Sequence, residues 1–172
     1  DGRMLALNSY ENRVYQAGME EAEPLVVKFY RPNRWSNEQI LEEHGFAEEL
    51  AEAEIPLVAP LRIQGQTLHV HQGYRFALFP RRGGRAPELD QSETRLWLGR
   101  FLGRIHAIGG SRKFAFRPKL DPALMARQAL DYLRQGDWLP AHLHSAFFSL
   151  ADDLLRAIDR LLAQCGELRS IR

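Results

Sequence analysis

The chain has 172 residues, room for one compact domain or two small lobes sharing a core, and 45% hydrophobic with 26% charged residues marks a folded protein rather than a disordered one. A formal net charge of +1 gives no drive toward nucleic acid or an anionic membrane, and no apolar run approaches the roughly 20 residues that cross a bilayer. A single cysteine, Cys165, excludes an internal disulfide and a multi-cysteine zinc site, and it fits a reducing, cytoplasmic setting.

Asp1-Gly2-Arg3 carries no initiator Met and no signal-peptide pattern, and Leu168 to Arg172 reads as a strand just beginning, so both ends are expected to be cuts through a longer protein. Arg3 to Leu7 and Arg13 to Ala17 predict short strands around the polar turn Asn8 to Asn12, a hairpin. Leu25 to Tyr30 is a β-branched and aromatic strand that Pro32 stops. Ser36 with Gln39 forms a capping box, Trp35 can staple against Ile40, and Pro56 ends the segment of the helix that follows. Leu61 to Ile63 with Gln66 to Val70, then Tyr74 to Phe79, predict further strands.

After Pro80 the texture changes. Arg81 to Arg85 is a basic, glycine-containing connector, and the chain is then mainly helical up to Gly166. Asp90 and Glu93 are expected to cap a helix with the stripe Leu98, Phe101, Leu102 and Ile105, ended by Gly109-Gly110. Asp121-Pro122 opens a second helix to about Arg134, and Phe147, Ala151, Leu154, Ile158 and Leu161 form the expected inward face of a third. No internal repeat or low-complexity tract is present.

Lys28 is the only charge in the strand from Leu25 to Tyr30, so it is either paired or snorkels to water from an edge strand. On a 100° wheel the helix from Asn37 to Glu52 gathers Ile40, Ala47, Leu50 and Ala51 on one face, and Glu43 falls inside that stripe with Glu42 at its margin. An inward acid needs a cation, and Lys28 on the preceding strand is the candidate. A strand lysine paired to a glutamate on the next helix is how kinases grip nucleotide phosphates. The turn from Asn8 to Asn12 would then cover the phosphates with backbone N–H groups and the Ser9 hydroxyl, although a plain polar turn would look the same. His69, His71, His142 and His144 lack carboxylate or cysteine support, so no metal site is expected, and His106 reads as structural. Arg31 to Arg34 and Arg81 to Arg85 lack the interleaved aromatics of a nucleic-acid surface.

The segments Leu7 to Tyr15, Val26 to Pro32, Ile40 to His44, Phe76 to Pro80 and Leu98 to His106 resemble the bacterial stress response kinases. These are ATP-dependent Ser/Thr protein kinases of the choline kinase and aminoglycoside phosphotransferase-like superfamily. The resemblance is specific from about Leu7 to His106 and looser to Arg172. It implies an α+β, protein-kinase-like fold: a small antiparallel β lobe with one inserted helix (1–80), a hinge (81–88) and an incomplete α-helical lobe (89–172). It implies ATP and Mg²⁺ as cofactors, Ser9 and Asn12 in the nucleotide loop, Lys28 on the phosphates, Glu43 holding Lys28, and Leu78, Phe79 and Pro80 along the adenine edge. The family's HGDxxxxN catalytic loop and later metal-binding aspartate do not occur in the chain. Catalytic and metal residues are therefore expected beyond Arg172, and the 172 residues alone are expected to be inactive. The acceptor is expected to be a protein, in a stress response, with a small amino-alcohol or aminoglycoside-type acceptor, or a non-catalytic interaction module, as alternatives. A monomer with neither nucleic acid nor membrane as partner completes the expectation.

Overall fold

The structure, a computed structural model, describes residues 2–165. The expected strand from Leu168 and the helix end near Gly166 lie outside the described residues. Three strands come first: β1 (Met4–Leu7), β2 (Arg13–Ala17) and β3 (Leu25–Phe29). Helix α1 (Asn37–Glu52) is followed by β4 (His69–His71) and β5 (Tyr74–Pro80). Then come α2 (Ser92–Gly109), α3 (Pro122–Gln135), a single 3₁₀ turn at Ala141–Leu143 and α4 (His144–Gln164). The five strands form one antiparallel sheet in the order β1-β2-β3-β5-β4. The α+β class expected of the chain is the one observed.

Register sets what each sheet face carries. Lys28 stands between Val14 of β2 and Ala77 of β5, so these three share a face. Alternation places Tyr30 and Val26 on that face and Phe29 on the other. Helix α1 covers the first face through a core of Tyr30, Ile40 and Ala77, with Trp35, Leu68 and Phe79 packed around it. Across the opposite face runs an aromatic row, Tyr15, Phe29, Phe76 and His69, with successive centroids 6.1, 5.7 and 5.4 Å apart.

The start of α1 follows the sequence signature. Gln39 N–H donates to Ser36 Oγ, Ser36 N–H donates to Gln39 Oε1, and Trp35 packs on the cluster that contains Ile40. Its end falls at Glu52, the expected bound, four residues ahead of Pro56. There Glu54 adopts φ 57° and reverses the chain. Glu54 N–H donates to Ala51 O at 3.0 Å and Ile55 N–H to Leu50 O at 2.9 Å, and the buried side chains of Ile55 and Leu50 meet across the turn. A glutamate thus does the work of the usual terminal glycine. Glu54→Gly is expected to raise stability by about 0.5 kcal/mol: it relieves ~1–2 kcal/mol of left-handed strain and forfeits ~0.5–1 kcal/mol to the unfolded chain. A lower thermal midpoint in the variant would refute that account.

Several expectations are corrected. Leu61 to Ile63 is not a strand. Ile63 and Gln66 make one isolated bridge around a tight turn at Gln64 and Gly65 (φ 50° and 79°), and Leu61 contributes a single N–H to Leu78 O. The following strand begins at His69 rather than Gln66 and turns back at Gln72-Gly73 with the same sign of φ. Asp90 and Glu93 do not cap α2: Gln91 is its N-cap and makes no capping bond, its side chain donating to Glu88 instead, and Asp90 lies one position too early. The carbonyls of Leu89 and Asp90 are taken by Arg95 instead. Ala51 on α1 and Leu102 on α2 are exposed although their stripes face inward.

By compactness the chain divides after Arg117. In the second unit Asp121 caps α3 by accepting from Leu124 N–H at 2.9 Å. Ion pairs Arg127–Asp159 and Arg134–Asp152 set α3 and α4 antiparallel. Of the expected inward face of α4, Ala151 and Ile158 are half-buried, whereas Phe147, Leu154 and Leu161 are exposed and Phe148, Leu155 and Leu162, each one position later, are covered in their place. Trp138 stacks on Tyr132 at 5.3 Å and lies over Gly136, where an added Cβ would fall 2.1 Å from its ring nitrogen.

Candidate functional site

The site lies on the α1-covered face of the sheet. Lys28 Nζ donates to Glu43 Oε1 at 3.3 Å, so the lone strand charge and the inward acid meet as expected. The ammonium also sits 4.8 Å from the centroid of the Tyr30 ring, two residues along the same strand face. The Lys28 side chain keeps 23% of its surface in contact with solvent, so it is held yet reachable. Ala77, fully buried directly opposite, leaves the space that Lys28 uses.

Arg117 was not among the sequence candidates. From the segment between α2 and α3, its Nη1 donates to Glu43 Oε2 at 2.7 Å, a shorter contact than that of Lys28, and its guanidinium lies 4.6 Å from the centroid of the Trp35 ring. Two cations therefore share one carboxylate, and the trio carries a formal charge of +1. Glu42, placed at the margin by the helical wheel, accepts the backbone N–H groups of Ala115, Phe116 and Arg117. Burial pushes its carboxyl up, but those N–H groups and the charge of Arg117 hold it below the usual range.

Beneath the ion pair is a buried polar chain that sequence reasoning also missed. Tyr30 Oη and His44 Nε2 are 2.6 Å apart, and His44 Nδ1 and Thr67 Oγ1 are 2.9 Å apart. Burial pushes the His44 ring down to about 4, with the charge of Lys28 adding to the effect and that of Glu43 opposing it, so the ring is neutral at pH 7. Burial, reinforced by the charge of Glu43, raises Tyr30 above the usual phenol range. Tyr30 thus stays protonated and, as the stronger hydroxyl donor, donates a hydrogen bond to Nε2 while Nδ1–H donates to Thr67 Oγ1. His44 follows Ile40 by four residues, and that position on the inward stripe was its only sequence signal.

The turn from Asn8 to Asn12 is braced internally and tied to the segment between β3 and α1. Ser9 Oγ donates to Asn12 O at 2.6 Å, Arg31 N–H donates to Asn12 Oδ1 at 3.4 Å, and Glu11 pairs with Arg34. Tyr10 at the tip is fully exposed. Along β5, the Leu78 carbonyl accepts from Leu61 N–H at 2.7 Å, Phe79 lies opposite Val26, and Pro80 offers a carbonyl but no N–H. Among the described residues no group of three or more His, Cys, Asp or Glu side chains could hold a metal ion, and no helix is long and apolar enough to cross a membrane.

Comparison with known proteins places this geometry in context. A sequence profile described as the phosphotransferase enzyme family matches residues 4–170. Stress response kinase A of Salmonella choleraesuis is 46% identical over 158 residues, covering 92% of this chain and 48% of the relative. The Salmonella typhimurium relative named serine/threonine protein kinase RdoA has the same identity and coverage, and stress response kinase A of Escherichia coli K12 is 42% identical over the same span. The chain therefore spans about half the length of the curated relatives it matches. Amicoumacin kinase hAmiN, solved in complex with AMP-PNP, Ca²⁺ and Ami, superimposes with a TM-score of 0.68 at 18% identity, covering 91% of this chain and 48% of that one. Spectinomycin phosphotransferase APH(9)-Ia, solved with ADP and spectinomycin, gives a TM-score of 0.52 at 16% identity over 93% and 50% of the two chains. At these identities the two structures establish a shared fold.

Proposed function

Because the chain belongs to the phosphotransferase enzyme family, we propose that it forms the nucleotide-binding part of an ATP-dependent kinase that phosphorylates protein hydroxyls. The observation that carries this reading is the Lys28–Glu43 pair, a solvent-reachable ammonium on a central strand fixed by a carboxylate on the next helix. In this reading Lys28 neutralises phosphate charge, and Glu43 keeps the ammonium aimed rather than free. The formal +1 of Lys28, Glu43 and Arg117 suits a polyphosphate. Ser9 and Asn12 lie in the loop over the phosphates, where the Ser9 hydroxyl would exchange its bond to Asn12 for one to phosphate. Leu78, Phe79 and Pro80 face the adenine edge. With the Leu78 carbonyl engaged and Pro80 without an N–H, the Pro80 carbonyl is the acceptor for the adenine amine.

Magnesium-bound ATP would supply the transferable phosphoryl group and, through the metal, positive charge to offset that of its phosphates. Its metal ligands and the acid that orients the acceptor hydroxyl are assigned outside these 172 residues, since the chain contains no HGDxxxxN pattern. A protein acceptor is favoured by the name of the 46% identical relative called a serine/threonine protein kinase, against antibiotic phosphotransferases at 16–18%. A role in stress response, a cytoplasmic location and a monomeric state belong to the same proposal.

Calorimetry with AMP-PNP on the complete protein tests the site. Lys28→Ala is expected to weaken binding about 10- to 100-fold, the equivalent of the ~1.5–3 kcal/mol carried by a hydrogen bond to a charged group. Equal affinity in wild type and variant would remove Lys28 from the phosphate site. Phosphate transfer to small amino-alcohols or aminoglycosides but not to proteins would replace the acceptor assignment.

A further inference from the structure

Nothing in the family relationship or the sequence pattern gives Arg117 a role, yet its surroundings are elaborate. Residues 112–117 are fastened along one stripe of α1 at i, i+3, i+4, i+7 and i+10. Gln39 Nε2 donates to Phe116 O at 2.9 Å, Glu42 receives three consecutive backbone N–H groups, and Glu43 receives the Arg117 guanidinium. Phe46 meets Phe114 edge-on at 5.8 Å, and Glu49 pairs with Arg112 at 3.1 Å. This stripe adjoins the core-facing one of Ile40, His44 and Leu50. Arg117 is thus fixed three ways: backbone to Glu42, ring face to Trp35, and fork to Glu43.

We propose that Arg117 is a positioning residue for Lys28, acting through the far oxygen of Glu43. The inference rests on the nucleotide reading above. Glu43 keeps 43% of its side-chain surface exposed, and its contact to Lys28 is the longer of its two. With Lys28 drawn toward phosphate, a glutamate held by that contact alone would swing into water and release the ammonium. Arg117 removes that freedom, because a planar guanidinium stacked on an indole and pinned by its own backbone cannot follow the phosphates out. Glu43 then keeps one oxygen turned to Lys28 whether or not nucleotide is present.

The test is a double-mutant cycle in the complete protein, read by AMP-PNP calorimetry and by turnover. Arg117→Gln is expected to lower kcat/KM for ATP about 10- to 100-fold, the scale of a small misplacement of a charged group. Combined with Glu43→Gln it should add nothing to the loss caused by Glu43→Gln alone, and Arg117→Lys should restore part of the loss. Wild-type behaviour of Arg117→Gln overturns the proposal. So do losses that multiply in the double variant, which would mean that Arg117 acts independently of Glu43, and so does a failure of Arg117→Lys to recover anything. If Lys28→Ala is impaired while Arg117→Gln is not, this inference alone falls. If Lys28→Ala binds nucleotide like wild type, the nucleotide reading falls and takes it along.

Discussion

Acidification from pH 6.5 to pH 4 is expected to remove about 3 kcal/mol of stability through His44 alone. The ring is 3% exposed, and burial depresses it from 6.5 to about 4. The unfolded chain therefore takes up a proton as pH falls through 6.5, while the folded protein declines one until about pH 4. Across that window the unfolded state binds more protons, so stability must fall with falling pH, and the contribution is fully present above 6.5. Replacing the ring exposes the same linkage from the other side. His44→Ala leaves the Tyr30 and Thr67 hydroxyls unpaired in the core, at about 1–3 kcal/mol each. At pH 7 the variant is thus well below wild type in urea midpoint, and the gap narrows toward pH 4 as the wild type pays for its neutral ring. A gap that stays constant between pH 7 and pH 4 would contradict the assignment. Ring chemical shifts give a direct check, since His44 should remain neutral at pH 5.

How much of this was legible in the sequence depends on whether a signal stays within one element. The capping box at Ser36 and the pairing of Glu43 with Lys28 are read from spacing along α1 and from the sole charge of the strand, although Glu43 stands beside the core-facing stripe with 43% of its side chain exposed. Arg117 carries no such signal. It lies in an irregular segment and meets Glu43 across 74 residues, a pairing that helical periodicity does not report. The stripe of Gln39, Glu42, Glu43, Phe46 and Glu49 is periodic too, but a mostly polar stripe looks like a solvated face until the segment that lies on it is seen. His44 shows a related limit: it holds a core position, and a wheel drawn on apolar residues passes over it. Helix α4 shows a third. Phe147, Leu154, Leu161 and Phe148, Leu155, Leu162 are adjacent stripes of near-equal hydropathy, so only packing against α3 selects the second. The end of α1 at Glu52 was legible, with Pro56 closing the segment, but the reversal itself was not: it is made by Glu54, a residue type that rarely accepts that conformation.

Ile40→Ala is expected to be among the most damaging single truncations in the first unit, costing about 2–5 kcal/mol. Ile40 is 1% exposed and fills the space between Tyr30 and Ala77, where α1 meets the sheet. Ala77 has no side chain to spare, and Tyr30 is held by His44, so neither can move into the cavity left behind. Ile40→Val should cost about 0.5–1.5 kcal/mol, since one methyl leaves a smaller void. Leu41→Ala is the control: Leu41 is 46% exposed, and its truncation should stay within about 0.5 kcal/mol. The loss at Ile40 should also reach the site, because Glu43 is one turn further along the helix that Ile40 anchors. AMP-PNP affinity is therefore expected to fall in Ile40→Ala at temperatures where the protein is still folded, and to be unchanged in Leu41→Ala. Equal urea midpoints for the two alanine variants would mean that α1 is not held by this cluster. A destabilised Ile40→Ala with wild-type affinity would mean that the strap over Gln39, Glu42 and Glu43 suffices to hold the helix in place, with the core beneath it adding stability but no alignment.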